Sequence, residues 1–157
     1  MDAATVALLT ADINAQRLTV DRVFDLLQQR CQALSPENPE KLESVAYQIH
    51  NFYGAVEDLL KLVATYCENN IADASRWHSL LLRRMTQPIE GVRPSFLSLS
   101  TYDNLNQLRA FRHFFRHAYG VPLDFEQLRS NLERVLAVKP LLEQDCDRFL
   151  QHLRSPD

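Results

Sequence analysis

Between Leu105 and Leu123 the chain carries Arg109, Arg112, His113, Arg116 and His117 and no Asp or Glu. In a helix turning about 100° per residue, these five and Asn106 fall within an arc of roughly 140°, with Leu105, Leu108, Phe111, Phe114, Phe115 and Ala118 on the other side. Unpaired like charges three and four residues apart oppose a helix by roughly a few tenths of a kcal/mol each, so a sequence that keeps them uses the charge. An anion is the natural partner, because the planar guanidinium matches phosphate oxygens two at a time and stays protonated at any physiological pH. Histidine, with an ordinary pKa of about 6.5, adds a group that takes or gives a proton near neutrality, and neighbouring arginines favour its neutral, basic form. Against RNA the set predicts one reaction. One histidine removes the proton of a ribose 2′-hydroxyl, the freed oxygen attacks the adjacent phosphorus, a second histidine protonates the leaving 5′-oxygen, and arginine neutralises the phosphorane. The scheme calls for no metal and no cofactor. A solvated face, or a contact between two copies, is the plainer use of the same surface, and the helical wheel alone leaves both open.

Other reactive residue types read more quietly. His50 and His78 have no carboxylate or cysteine at ligand spacing, which predicts satisfied core or surface histidines and no metal site. Arg76, Arg83 and Arg84 make a second basic patch, with no acid from Ala74 to Ile89, suited to RNA backbone, an acidic partner or plain solvent. Trp77, among helically spaced leucines, is expected in the core. Cys31, Cys67 and Cys146 are far apart and outside any Cys-x-x-Cys pattern, which predicts buried thiols in a reducing cytoplasm instead of a disulfide framework or zinc ribbon.

The elements that must position the basic run are helices. Apolar residues recur at steps of three and four almost throughout, and only 3 glycines interrupt 157 residues, so an all-α fold is expected: a compact bundle of about five to six helices. The periodicity predicts a first helix over about 3–17 and a second opened by Thr19 as N-cap, carrying Val20, Val23, Phe24, Leu27 and Cys31 and ended by Ser35, Pro36 and Pro39. A long helix is expected from about Glu40 to Asn69, with Gly54 inside it, where a glycine costs about 1 kcal/mol relative to alanine unless a neighbour passes very close. Ser75 can cap a short helix holding Trp77, Leu80, Leu81 and Met85. Ser100 and Asp103 resemble a capping box for a helix over 101–119, closed by Gly120. Leu123 and Asp124 open the last helix, which Pro140 is expected to kink or break.

With 17 Lys plus Arg against 20 Asp plus Glu, the net charge of −3 excludes a uniformly basic nucleic-acid binder but leaves room for a local basic face. No repeat, low-complexity tract or linker divides the chain, so 1–157 is read as one domain, long enough to hide roughly two-thirds of its unfolded surface without disulfides. Asp2 precedes the first apolar residues, Arg17 is the earliest cation, and no apolar run approaches the roughly 18 residues of a membrane span, which predicts a cytoplasmic protein without membrane insertion.

The segment from Arg112 to Tyr119, RHFFRHAY, is similar to the Arg-x4-6-His motif of HEPN-domain ribonucleases, in the Arg-x4-His-x-Tyr form of HepT-like toxins. The resemblance extends through HNFYGAVEDLLKLVA at 50–64, SRWHSLLLRRM at 75–85, GVRP at 91–94 and RAFRHFFRHAYGVPLDFEQL at 109–128, covering about 41–153. The N-terminal helical segment 1–40 contributes little to it. The resemblance implies a helical bundle that forms a homodimer, with two motif helices meeting across a cleft so that two arginines and two histidines surround one phosphate. It implies a prokaryotic, cytoplasmic RNA hydrolase acting on tRNA or mRNA within a type VII-like toxin-antitoxin pair. Carried over by position, Arg112 stabilises the transition state, His117 is the general acid and base, and His113 is the polar residue that follows the motif arginine. Arg109 and Arg116 lie outside the motif, and their charge alone suggests contacts to RNA phosphates. The resemblance also implies that an MNT-type nucleotidyltransferase antitoxin transfers AMP onto Tyr119. The alternative is a non-catalytic partner of such a transferase that binds a nucleotide or serves as scaffold or antitoxin.

Overall fold

A computed structural model describes residues 1–68, 77–117 and 119–154, which hold five helices. Helix α1 runs unbroken over Ala3–Arg30, capped by Asp2, whose carboxylate accepts the Thr5 N–H at 2.8 Å. The expected division at Thr19 is therefore corrected. Its buried residues Ile13, Val20 and Leu27 recur every seventh position, so one stripe spans the supposed break, and that packing outweighs the capping preference of a threonine.

Helix α2, Pro39–Glu68, is the centre of the bundle and packs against all the other helices. Pro39 occupies its first turn, where a missing N–H is harmless, and the Asn38 side chain accepts the Lys41 N–H at 3.2 Å. Val45, Ile49, Phe52, Val56, Leu59, Leu60 and Val63 are fully enclosed along it. A Cβ on Gly54 would meet nothing within 4 Å, so no helix passes close there.

Helix α3, Trp77–Met85, buries Leu81, Leu82 and Met85, while Leu80, expected inside, is 57% exposed. The expected Ser75 cap, Arg76 and the Trp77 and His78 side chains lie outside the described residues. After α3 a tight turn is tied by a bridge between Ile89 and Arg93. The Arg93 guanidinium is fully buried: it donates to Glu68 Oε1 at 2.6 and 2.8 Å and to the carbonyls of Gln87, Pro94 and Arg84 at 2.9, 3.0 and 3.1 Å. Arg84 also bonds to Glu68, so part of the second basic patch is compensated.

Helix α4, Leu99–His117, starts two residues earlier than the sequence suggests. Its cap is Ser98, not Ser100: the Ser98 hydroxyl accepts the Thr101 N–H at 3.3 Å and bonds to the Thr101 hydroxyl at 2.9 Å. Helix α5, Phe125–Arg154, is capped by Asp124, which accepts the Gln127 N–H at 2.8 Å. It continues through Pro140 without the break that was one of the two expected outcomes; the proline is exposed, and the carbonyl it cannot bond belongs to Leu136, a residue 41% exposed. Asp145 of α5 clamps the base of α4, accepting the Ser98 N–H at 2.9 Å and Arg148 Nη1 at 2.7 Å, while Arg148 Nη2 donates to the Phe96 carbonyl at 2.9 Å.

The thiols differ from expectation in part. Cys146 is buried and pushed up to about 12 by desolvation, Cys67 is half-buried and pushed up to about 11 by the same cause, and Cys31 is also only half-buried. Among the described residues no helix is long and apolar enough to cross a membrane, and no three His, Cys, Asp or Glu are grouped to hold a metal ion.

Candidate functional site

Helix α4 divides its basic residues between two directions. Leu105, Leu108 and Phe111 are buried, as the wheel predicts, but Phe114 is 37% exposed. Arg112, seven residues after Leu105, sits only about 20° from it on the wheel, between Leu105 and Leu108. It therefore turns toward α2 instead of lying wholly on the polar face. Its guanidinium carbon stands 5.7 Å from the centre of the Tyr53 ring, its Nε is buried without a hydrogen-bond partner, and the residue as a whole stays half-exposed. An arginine over an aromatic face gains about 0.5–2 kcal/mol and keeps its charge.

His117 leaves the same helix about 140° away from Arg112 and is exposed, as are His113 and Arg116. The His113 and His117 rings lie 4.6 Å apart, tilted by 54°. Arg109 is held by Asn106, whose Oδ1 accepts from Nε at 3.2 Å and from Nη2 at 3.1 Å, which fixes the guanidinium plane. Tyr119 follows the helix end and is 88% exposed, and Gly120 takes the left-handed conformation that closes the turn, with φ of 71°. One chain thus joins His113 to His117 and Arg112 to Tyr53 of α2, with Arg112 and His117 leaving α4 about 140° apart.

Two residues on α2 complete the site: Tyr53, which nothing in the sequence singled out, and His50, expected to be a satisfied core or surface histidine. Tyr53 is 1% exposed; burial, followed by the nearby Glu57, pushes its hydroxyl up, against the pull of Arg109 and Arg112. His50, one turn earlier, has its ring 6.5 Å from Tyr47 and 5.9 Å from Phe115. Desolvation, then the charges of Arg112 and Arg116, hold its imidazole below the ordinary histidine range. The expectation of a satisfied histidine is corrected, because Nδ1 is buried with no partner. His50 with Phe115 and Tyr53 with Arg112 show α2 and α4 running antiparallel along this seam. Among the described residues, the buried side-chain N and O atoms lacking a hydrogen bond are His50 Nδ1, Tyr53 Oη and Arg112 Nε, and all three belong to it. The signal for Arg112 was present in the sequence: 105, 108, 112 and 115 follow the three-four spacing of a buried stripe.

Chemically, the seam offers an arginine preset by an aromatic face, an imidazole beside it whose charged form is disfavoured, and an exposed pair of histidines one turn on. A protein family described as HepT-like protein matches this chain over residues 44–153, which runs from within the second turn of α2 through all but the last residue of α5. No curated protein and no solved structure matches it.

Proposed function

The chain belongs to the HepT-like protein family, and from that premise we propose that it is a metal-independent endoribonuclease toxin, acting as a homodimer and silenced by a nucleotidyltransferase antitoxin. The observation that carries the reading is the division on α4: Arg112 faces inward over Tyr53, while His113 and His117 face outward within 4.6 Å of each other. Groups that diverge on one helix act on one phosphate when a second copy supplies the missing side, and a two-fold pair does so symmetrically.

In that arrangement His117 takes the proton of a ribose 2′-hydroxyl, the 2′-oxygen bonds to phosphorus, and the bond from phosphorus to the 5′-oxygen breaks. The partner's His117 gives its proton to the departing oxygen. The products are a 2′,3′-cyclic phosphate and a 5′-hydroxyl. Arg112 neutralises the charge that grows on the phosphorane, and His113 orients the catalytic imidazole beside it. Arg109, fixed by Asn106, and Arg116 grip flanking phosphates of a tRNA or mRNA.

Regulation falls on Tyr119, whose hydroxyl is open to a second enzyme. An MNT-type transferase forms the bond from tyrosine oxygen to the α-phosphorus of ATP and releases pyrophosphate. The added phosphate is an anion within reach of the arginine cluster, and the nucleoside fills the approach to it. Incubating the protein with RNA in a chelator, beside His117→Ala, tests the nuclease. Cleavage by the native chain alone supports it; equal cleavage by both, or none by either, overturns it.

A further inference from the structure

The three unpartnered polar atoms at the α2–α4 seam are hydrogen bonds left unmade, and each such atom costs about 1–3 kcal/mol when buried. Their coincidence calls for a ligand that completes them. The charged surroundings say of which sign. From α4, Arg112 and Arg116 bear on His50, with Phe115 against its ring. On its own helix His50 has Tyr47 on one side and Tyr53 one turn on, with the acids Glu43 and Glu57 each two turns away. Glu57 pairs with Lys61 at 3.2 Å, and Glu43 lines a hollow with Phe115 and residues 120–123. The charges that bear on the imidazole are thus the two cations.

We propose that Arg112, Arg116 and His50 form a proton-linked anion site, in which His50 takes up one proton from solvent when a phosphate or sulfate group binds the two guanidiniums. In the free protein, burial and then the arginines favour the neutral imidazole over the charged one. A bound dianion cancels the arginine field and attracts the imidazolium, so the same ring holds its proton more tightly in the complex. The sign follows from linkage. Affinity is flat above the bound-state pKa, rises about tenfold for each pH unit between the two pKa values as pH falls, and flattens again below the free-state one. The site rests on reading this face of α4 as phosphate-binding, but not on catalysis.

Sulfate is the probe, because it stays a dianion from about pH 5 to 8 while phosphate itself titrates. Imidazole NMR resonances are followed against pH with and without saturating sulfate, His50 being assigned with His50→Gln. The expected result is a midpoint below that of ordinary histidine in the free protein that moves up with sulfate. Sulfate affinity should rise about tenfold or more between about pH 8 and 5.5, keep that rise in His113→Gln/His117→Gln, and lose it in His50→Gln. A His50 midpoint unmoved by sulfate, the full rise retained in His50→Gln, or no sulfate binding would overturn the site. The native spectrum decides even where the variant misfolds. RNA cleavage in parallel separates the two readings: cleavage lost in His117→Ala with a sulfate-insensitive His50 removes this site and leaves the nuclease, and sulfate-coupled titration in a protein that cuts no RNA does the reverse.

Discussion

The Arg112 guanidinium stands over the Tyr53 ring, 5.7 Å from centroid to carbon, so the central charge of a surface helix is set from inside the bundle. The Tyr53 hydroxyl takes no part in this, being buried and unbonded. Tyr53→Phe is therefore expected to leave stability unchanged or raise it by up to about 1 kcal/mol. Tyr53→Leu removes the ring face and is expected to cost about 1–3 kcal/mol. Urea unfolding of the two variants checks the contrast; a Phe variant as damaged as the Leu one would show that the hydroxyl has a partner.

A site made from two copies responds to mixing. Refolding native chains with an equal amount of His117→Ala is expected to leave about a quarter of the native RNA cleavage per total chain, the share of dimers holding two histidines under random pairing. Activity falling only to about half would mean that each chain works alone. Arg112→Lys is expected to resemble Arg112→Ala more than the native chain, because an ammonium neither forks onto a phosphate nor lies flat on Tyr53.

Tyr119 offers a readout by mass. Co-expression with a cognate nucleotidyltransferase is expected to add about 329 Da for each AMP unit, with RNA cleavage lost in proportion. Tyr119→Phe should keep its mass and its cleavage under the same conditions. An intact mass unchanged by active transferase and ATP would remove the modification.

Arg93 is expected to be the least replaceable surface-turn residue for stability. Its guanidinium serves Glu68 and three carbonyls from full burial. Arg93→Met leaves Glu68 with Arg84 alone and should cost about 3–5 kcal/mol, and Arg93→Lys, lacking the fork, most of that. Denaturant midpoints with unchanged slopes would measure the loss.

The close of α4 and the start of α5 were legible because their signals are local: a left-handed glycine at Gly120 and an aspartate cap at Asp124 depend on a few neighbouring residues. Thr19 misled because a capping side chain is a weak preference, set against a stripe from Ile13 to Leu27 that only packing makes decisive. Pro140 does not break α5, and it lies on an exposed side of the helix, where packing does not depend on it. At the site, the exposed His113, His117 and Arg116 follow from the wheel. Arg112 did not, because charge suggested solvent where spacing placed it beside Leu105 and Leu108. His50 looked ordinary as a single histidine; its meaning depends on Arg112 and Phe115, more than 60 residues away in the chain.

The clamp from Asp145 to Ser98 fixes one end of α4. Its root is bolted to α5 by the buried Asp145 carboxylate, while His113, Phe114, Arg116 and His117 lie exposed toward the other end. Because the tip is also seated on α2 through Phe115 and His50, whatever grips its exposed side chains pulls on a rod held at both ends, and the load reaches the hydrophobic interior only through that seam.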